Sequence, residues 1–345
     1  MSNNVNQTLG EAKKKKNDDF YTQLTDIEKE LKHYKHHFSN KTVYCNCDDP
    51  KISKFFHYFS HKFEDLKLKK LISTCYKNKH VDLFSVEDDK NAIALEYFGD
   101  KNNNKVPDDN EIGIKNLKGD GDFRSEECIK FLEEADIVVT NPPFSLFREY
   151  ISQLIKYDKK FIILGQQGSI TYKEVFSLIQ KGDIWLGVDN GGTKWFEVKD
   201  HYEIKTKSRQ KIVDGKKFFS MGSVVWFTNL EIKKRKEELV LHKKYSEEEY
   251  PKYDNYDAIH VKRYDEIPLD FDGVMGVPIT FLDKHNKNQF EILGITDRQN
   301  TSGLRTKKYT IDDAKNYNDL NARSVLKTDD GYKAVFARIL IRRIK

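Results

Sequence analysis

The chain has 345 residues, of which 33% are charged and 38% hydrophobic, with a mean hydropathy of -0.74. These values exclude a membrane-embedded protein and leave ample length for a packed core, as one large or two smaller domains. A net charge of +5 suits a nucleic-acid partner without requiring one, and four irregularly spaced cysteines, Cys45, Cys47, Cys75 and Cys128, exclude a disulfide framework and a four-ligand zinc site.

In chain order, residues 1–17 are polar, aperiodic and rich in lysine, which reads as a disordered basic tail. No stretch reaches the length of a membrane span, no apolar signal region opens the chain, and a cytoplasmic location is expected. Phe20-Tyr21-Thr22 precedes Thr25 and Glu28 at a capping-box spacing, and Ile27, Leu31, Tyr34 and Phe38 form the stripe of a first helix. By itself the Phe20-Tyr21 pair reads as a hydrophobic staple for that helix. Thr42 to Cys47 is a strand, and Ile52, Phe55, Phe56, Phe59, Phe63 and Leu66 mark the helix after it. Between them Asp48 and Asp49 either cap the helix ahead of Pro50 or form a seat for a cationic ligand at the strand end. Cys45 and Cys47 are read as reduced, buried small residues rather than metal ligands.

Lys70 to Tyr76 is a second strand, and Ala92 to Phe98 with Ile112 to Leu117 reads as a hairpin. Its loop sets Asp100, Asn102, Asn104, Asp108 and Glu111 at a calcium-loop spacing. Lys105 stands where glycine is needed and no helices flank the loop, so a solvated connection is expected and no metal. Gly119-Asp120-Gly121-Asp122-Phe123 is a turn before a helix over 126–134.

The most informative stretch is Ala135 to Phe144. The apolar, β-branched run Ile137-Val138-Val139 suits a parallel strand buried on both faces. Pro142 and Pro143 each fix φ and remove a donor, so the chain must leave the sheet at that point. The Asn141 side-chain oxygen, a free carbonyl beside Pro142 and the flat face of Phe144 together suit a planar ring carrying an amino group. Such an edge of an open α/β sheet is where ligands bind.

Lys160 to Gly165, Ile184 to Val188 and Val224 to Thr228 read as further strands, and Val175 to Ile179 as part of a helix. The loop Asp189 to Phe196, with Gly191-Gly192, Lys194 and Trp195, either closes over a bound partner or is an exposed loop whose Trp195 is tucked into the core. From Glu231 the composition turns to charge, tyrosine and glycine or proline breaks. Arg298, Gln299, Asn300 and Arg305 have side-chain types suited to base edges. Ala337, Ile339 and Ile341 alternate with Arg338 and Arg342, which predicts a terminal strand with one basic face.

Asn141-Pro142-Pro143-Phe144 matches the (D/N/S)-P-P-(Y/F) motif of amino methyltransferases that use S-adenosylmethionine. The runs Phe20 to Gln23, Tyr44 to Pro50, Gly119 to Arg124, Thr140 to Tyr150 and Ala337 to Arg342 extend the likeness over nearly the whole chain from Asn17. The sequence resembles the EcoRI-type adenine-specific DNA methyltransferases. The resemblance implies an α/β fold with a doubly wound, mostly parallel seven-stranded sheet over residues 18–230 and a smaller target-recognition region over 231–345. It implies S-adenosylmethionine bound by Phe20, Tyr21, Thr22, Asp48, Asp49, Asp122 and Phe123, although the glycine-rich cofactor loop of the superfamily has no counterpart in this chain. An acid for the cofactor's ribose is open between Asp82 and Glu96. The resemblance further implies catalysis by Asn141, Pro142, Pro143 and Phe144 on an extruded adenine; from their residue types, Lys194, Arg298, Gln299, Asn300 and Arg305 are the side chains expected to face DNA. GAATTC is the candidate site, a monomer the expected form, and a restriction endonuclease acting separately the expected companion. RNA or protein-glutamine methylation, and a catalytically idle DNA-binding relative, are the alternatives.

Overall fold

The computed structural model describes residues 20–47, 53–74, 92–104, 107–108, 110–198, 202, 204, 206–298 and 303–344. The tail 1–17, Asp48, Asp49, Pro50, Ile52, Cys75, Tyr76, Asp82, Lys105, Gln299 and Asn300 lie outside the described residues. The chain divides into two compact units, Met1–Gln167 with Gly187–Leu230, and Gly168–Leu186 with Glu231–Lys345. The last break, between Leu230 and Glu231, falls where the composition changes.

The strands of the first unit are β1 (Thr42–Asn46), β2 (Lys70–Thr74), β3 (Ile93–Tyr97), β4 (Ile112–Asn116), β5 (Ile137–Thr140), β6 (Lys160–Gln166) and, after β7 (Trp185–Leu186) of the second unit, β8 (Phe196–Val198), β9 (Gln210–Val213), β10 (Lys216–Phe219) and β11 (Val224–Thr228). The central sheet runs β4-β3-β2-β1-β5-β6-β11 through this unit. Its middle is parallel, β2 on β1, β1 on β5 and β5 on β6, while β3, β4 and β11 join antiparallel. Every residue of β1, β2, β5 and β11 is buried, which is why these segments carry β-branched and aromatic runs instead of a polar alternation.

Helix α1 (Leu24–Leu31) buries Ile27 and Leu31, and the same stripe continues through Tyr34 and Phe38. The capping box does not form: Gln23 is the N-cap and no side chain caps it, because the helix already begins one residue before Thr25. Helix α2 (Lys54–His61) is capped by Ser53 Oγ, which accepts from the Phe55 and Phe56 amides at 3.2 and 3.5 Å. Phe55 and Phe59 are fully buried, as their spacing predicts, and Phe63 and Leu66 follow in the short helix α3 (Phe63–Leu66). The 92–117 segment is the expected hairpin. In its loop the Glu111 carboxylate accepts from the Lys101 amide at 2.6 Å, and Asp108 from the Asn102 side chain at 2.6 Å. These loop acids therefore serve the loop's own backbone and amides. Glu96 on β3 pairs with both Lys70 and Lys115, which hold its carboxyl below the usual range against the opposing effect of burial. Here it is an ion-pair partner of two lysines.

In the second unit, β12 (Ile259–His260), β13 (Met275–Pro278), β17 (Arg338–Arg343) and β14 (Phe290–Ile295) form one sheet in that order, and β15 (Val325–Thr328) with β16 (Gly331–Ala334) a hairpin. The helix Lys173–Lys181 belongs to this unit, where Gln180 Nε2 donates to the Leu293 carbonyl at 2.9 Å. The terminal strand forms, but the single basic face does not. Leu340, on the side of Arg338 and Arg342, is buried against Tyr253, Tyr256 and Ala258. Ile339 and Ile341 on the other side are buried too, so the middle of this strand is covered on both faces. Among the described residues no helix is long and apolar enough to cross a membrane.

Candidate active site at the end of strand β5

Strand β5 delivers the Asn-Pro-Pro-Phe segment at its carboxyl end, and two side chains clamp that end to β1. Thr140 Oγ1 donates to the Asn46 carbonyl, and Tyr150 Oη donates to Asn46 Oδ1. Burial holds the Tyr150 hydroxyl in its protonated form, well above the ordinary range. The turn is therefore fixed from the strand side by Thr140 and from the following helix, α5 (Phe147–Lys156) with α4 being Glu126–Glu134, by Tyr150.

Asn141 is 6% exposed, and its two amide atoms differ sharply. Nδ2 donates to the Phe20 carbonyl at 2.6 Å, whereas Oδ1 is buried with no hydrogen-bond partner. The first bond fixes the orientation of the amide, because a carbonyl accepts only from the nitrogen side. The oxygen is thus held as a bare acceptor, a state that costs about 1–3 kcal/mol and that a ligand donor would relieve.

Phe144 packs into an aromatic group with Phe20 at 6.2 Å and Phe196 at 6.1 Å between ring centroids. Tyr202 and Phe219 complete it around Phe20, at 5.3 and 6.0 Å. Phe20 reaches this position because Tyr21 pairs with Glu197 through two backbone hydrogen bonds of 3.0 Å, adding the segment to the small sheet β8-β10-β9. The sequence pattern connects Phe20 to its own helix; the fold instead seats it beside Asn141 and Phe144. Thr22 is 1% exposed and its hydroxyl also lacks a partner.

Phe123 is buried against Tyr150, with ring centroids 5.0 Å apart. Asp122 is engaged differently from expectation: Arg124 binds both its carboxylate oxygens, at 2.9 and 2.7 Å, and also reaches Glu149 at 2.9 Å. Asp48 and Asp49 lie outside the described residues.

The residues expected to meet DNA fare unequally. Lys194 is 3% exposed and its amine is held by Asp189 at 2.6 Å, so it is an internal ion pair and not a phosphate contact. The loop that carries it is anchored by Glu30, whose buried carboxylate accepts from Tyr34 Oη at 2.6 Å and from the Val188 and Asp189 amides at 2.9 and 2.6 Å. Burial raises the Glu30 carboxyl above its ordinary range despite these bonds. Trp195 is half-buried beneath the Lys211 amine, 4.5 Å from the ring centroid. In the second unit Arg298 is exposed and donates to the Asn318 carbonyl at 3.0 Å. Arg305 donates to Tyr256 Oη at 3.2 Å and keeps an unpartnered Nε. Gln299 and Asn300 lie outside the described residues.

Residue spacing gave no sign of Asn46, Glu30 or Phe196. Only the pairing of distant segments brings them to the motif, although a glutamate on the apolar stripe side of α1 was a visible anomaly.

Comparison with known proteins bears on this geometry. The family model described as adenine-specific methyltransferase EcoRI matches residues 8–344. The type II methyltransferase M.EcoRI of Escherichia coli is 52% identical over 294 residues, covering 84% of this chain and 90% of its own. The type II methyltransferases M.MgeORF184P of Mycoplasma genitalium and M.MpnI of Mycoplasma pneumoniae are 38% and 37% identical, each covering 82% of this chain and 84% and 83% of their own. No solved structure gives a significant match.

Proposed function

Because the chain belongs to the EcoRI family of adenine-specific methyltransferases, we propose that it methylates the exocyclic N6 amine of an adenine extruded from double-stranded DNA, within GAATTC, as the modification half of a restriction-modification system. One observation carries the mechanism: the buried Asn141 Oδ1, oriented by Phe20 and lacking a partner. Adenine's amine is a poor nucleophile because its lone pair is delocalised into the ring. Donation of its two N–H groups to Asn141 Oδ1 and the Pro142 carbonyl favours the pyramidal, localised form, so these acceptors act by positioning and electrostatics. Phe144 offers the extruded base a face in place of its lost stacking, which costs a few kcal/mol. Pro143 stiffens the turn so that both acceptors stay aligned.

The family implies S-adenosylmethionine, which when bound supplies an electrophilic methyl group. The chain fits such a ligand: Thr22, next to Phe20 and Tyr21 in the chain, presents an unpartnered hydroxyl, and Phe123, packed on Tyr150, an apolar wall. Asp48 and Asp49 complete the seat in this reading, and Asp122 joins it by exchanging Arg124 for the ligand. In this reading the central sheet is the methyltransferase sheet, residues 231–345 are the target-recognition region with Arg298, Gln299, Asn300 and Arg305 toward DNA, and the working form is a cytoplasmic monomer.

The test is transfer from labelled S-adenosylmethionine to duplex DNA, followed by methyladenine detection at single-base resolution. Methyl groups confined to adenines of GAATTC support the reading; transfer only to RNA or protein, or none despite cofactor binding, overturns it.

A further inference from the structure

The β9–β10 hairpin has no part in the chemistry above, and its side chains are arranged unusually. Asp214 and Gly215 form a two-residue turn with φ of 49° and 75°, the left-handed pair that closes a tight hairpin. The ladder is paired from Gln210–Phe219 to Val213–Lys216, so the tip has no slack. Partners in such a ladder share a face, as do residues two apart along a strand. Gln210, Phe219 and Phe196 therefore lie on one face, and Ile212 with its partner Lys217 lies on that same face, one step of about 7 Å further toward the tip.

That face is the one the active site uses, since Phe196 and Phe219 both pack on Phe20, and Phe196 on Phe144. Phe196 and Phe219 are 0% and 6% exposed, while Ile212 is 67% exposed. The hairpin thus carries a bare aliphatic side chain on the face whose aromatic residues pack on Phe20, the residue whose carbonyl holds the Asn141 amide. Lys217 shares the face of Ile212, Arg209, Lys211 and Lys216 lie on the opposite face of the same ribbon, and Asp214 is the single acid between residues 206 and 217, while Lys216 Nζ pairs with Glu197 at 2.9 Å and Lys217 Nζ donates to the Tyr202 carbonyl. An apolar tip set in positive charge complements a base stack flanked by phosphates, and a two-stranded ribbon fits the major groove.

We infer that this hairpin enters the DNA groove beside the target and that Ile212 occupies the gap left in the base stack when the adenine is extruded. The inference rests on the extruded-adenine reading of the preceding section. The lost stacking that Phe144 replaces for the base, Ile212 replaces for the duplex.

The test compares the parent chain with Ile212→Ala and Ile212→Leu on two duplexes, one with the target adenine paired to thymine and one with it opposite an abasic position. Since Ile212 is largely exposed, both variants keep the fold, which cofactor binding verifies. Ile212→Ala is expected to lose about tenfold in single-turnover transfer on the paired duplex and to stay within about twofold of the parent on the abasic one, where extrusion is already easy. Ile212→Leu is expected to restore the paired rate. An equal loss on both duplexes, or no loss on the paired one, overturns the wedge while leaving the methyltransferase reading intact. Absence of transfer by the parent on either duplex strikes that reading first, and the wedge falls with it.

Discussion

The two units treat their buried polar groups in opposite ways. Around β5 the first unit fully satisfies the atoms that hold the turn, Thr140, Tyr150 and Asn46, yet withholds a partner from Asn141 Oδ1 and Thr22 Oγ1. In the second unit the buried side chains satisfy one another. Asn255 donates to the Arg323 carbonyl at 2.8 Å and accepts from the Val325 amide at 2.9 Å, and Tyr253 Oη meets His260 Nδ1 at 2.8 Å. Among that unit's described residues, the buried side-chain atoms left without a partner are the Nε atoms of Arg305 and Arg338. An acceptor kept bare beside a stiff turn awaits a donor; a closed polar network only fixes a fold.

The largest effect that separates the two is expected at Asn141. Asn141→Ala should lower methyl transfer by roughly 10³-fold, the scale for removing one preorganised hydrogen-bonding group, with DNA affinity retained in a filter or anisotropy assay. Full activity in that variant would break the contrast at its centre.

Next comes pH, where the units should move in opposite directions. Burial pushes His260 down from 6.5 to about 4. Below pH 6.5 the unfolded chain takes up a proton that the folded unit refuses, so stability falls as pH drops from 6.5 toward 4, by up to about 3 kcal/mol. Glu30 is shifted the other way, above 4.5. Its contribution is present below 4.5 and lost as pH rises through the raised value. Thermal melting against pH, repeated with His260→Gln, should flatten the acid limb; an unchanged limb would remove His260 from the account.

Gly187→Ala should cost the first unit about 1–3 kcal/mol in a denaturant melt, because the new Cβ would collide with the Glu30 carboxylate and meet Trp226 Cβ at 2.7 Å. It should also loosen the loop bearing Lys194 and Phe196, sharpening the case that Glu30 acts by placing that loop. The smallest effect belongs to Arg342→Ala, whose pair with Glu291 is half exposed on both sides. A change within about 0.5 kcal/mol is expected; a larger one would mean the second sheet depends on its surface charge.

Much was legible without coordinates. The run Ile137 to Val139 could only be a strand buried on both faces, and two prolines had to end it, so the turn at its carboxyl end follows from local chemistry. The stripe of α1 and the phenylalanines of α2 were equally plain, since periodicity is a property of neighbours in the chain. Tertiary structure alone decided the rest. It turned Lys194 inward to Asp189, gave Asp122 to Arg124 and Glu96 to two lysines, and buried Leu340 on a face that reads as basic. It also brought the Phe20 carbonyl across 121 positions to the Asn141 amide. A charge or an amide in sequence shows what it can bond; which partner it meets depends on segments far apart in the chain, and their approach is set by the packing of the whole sheet.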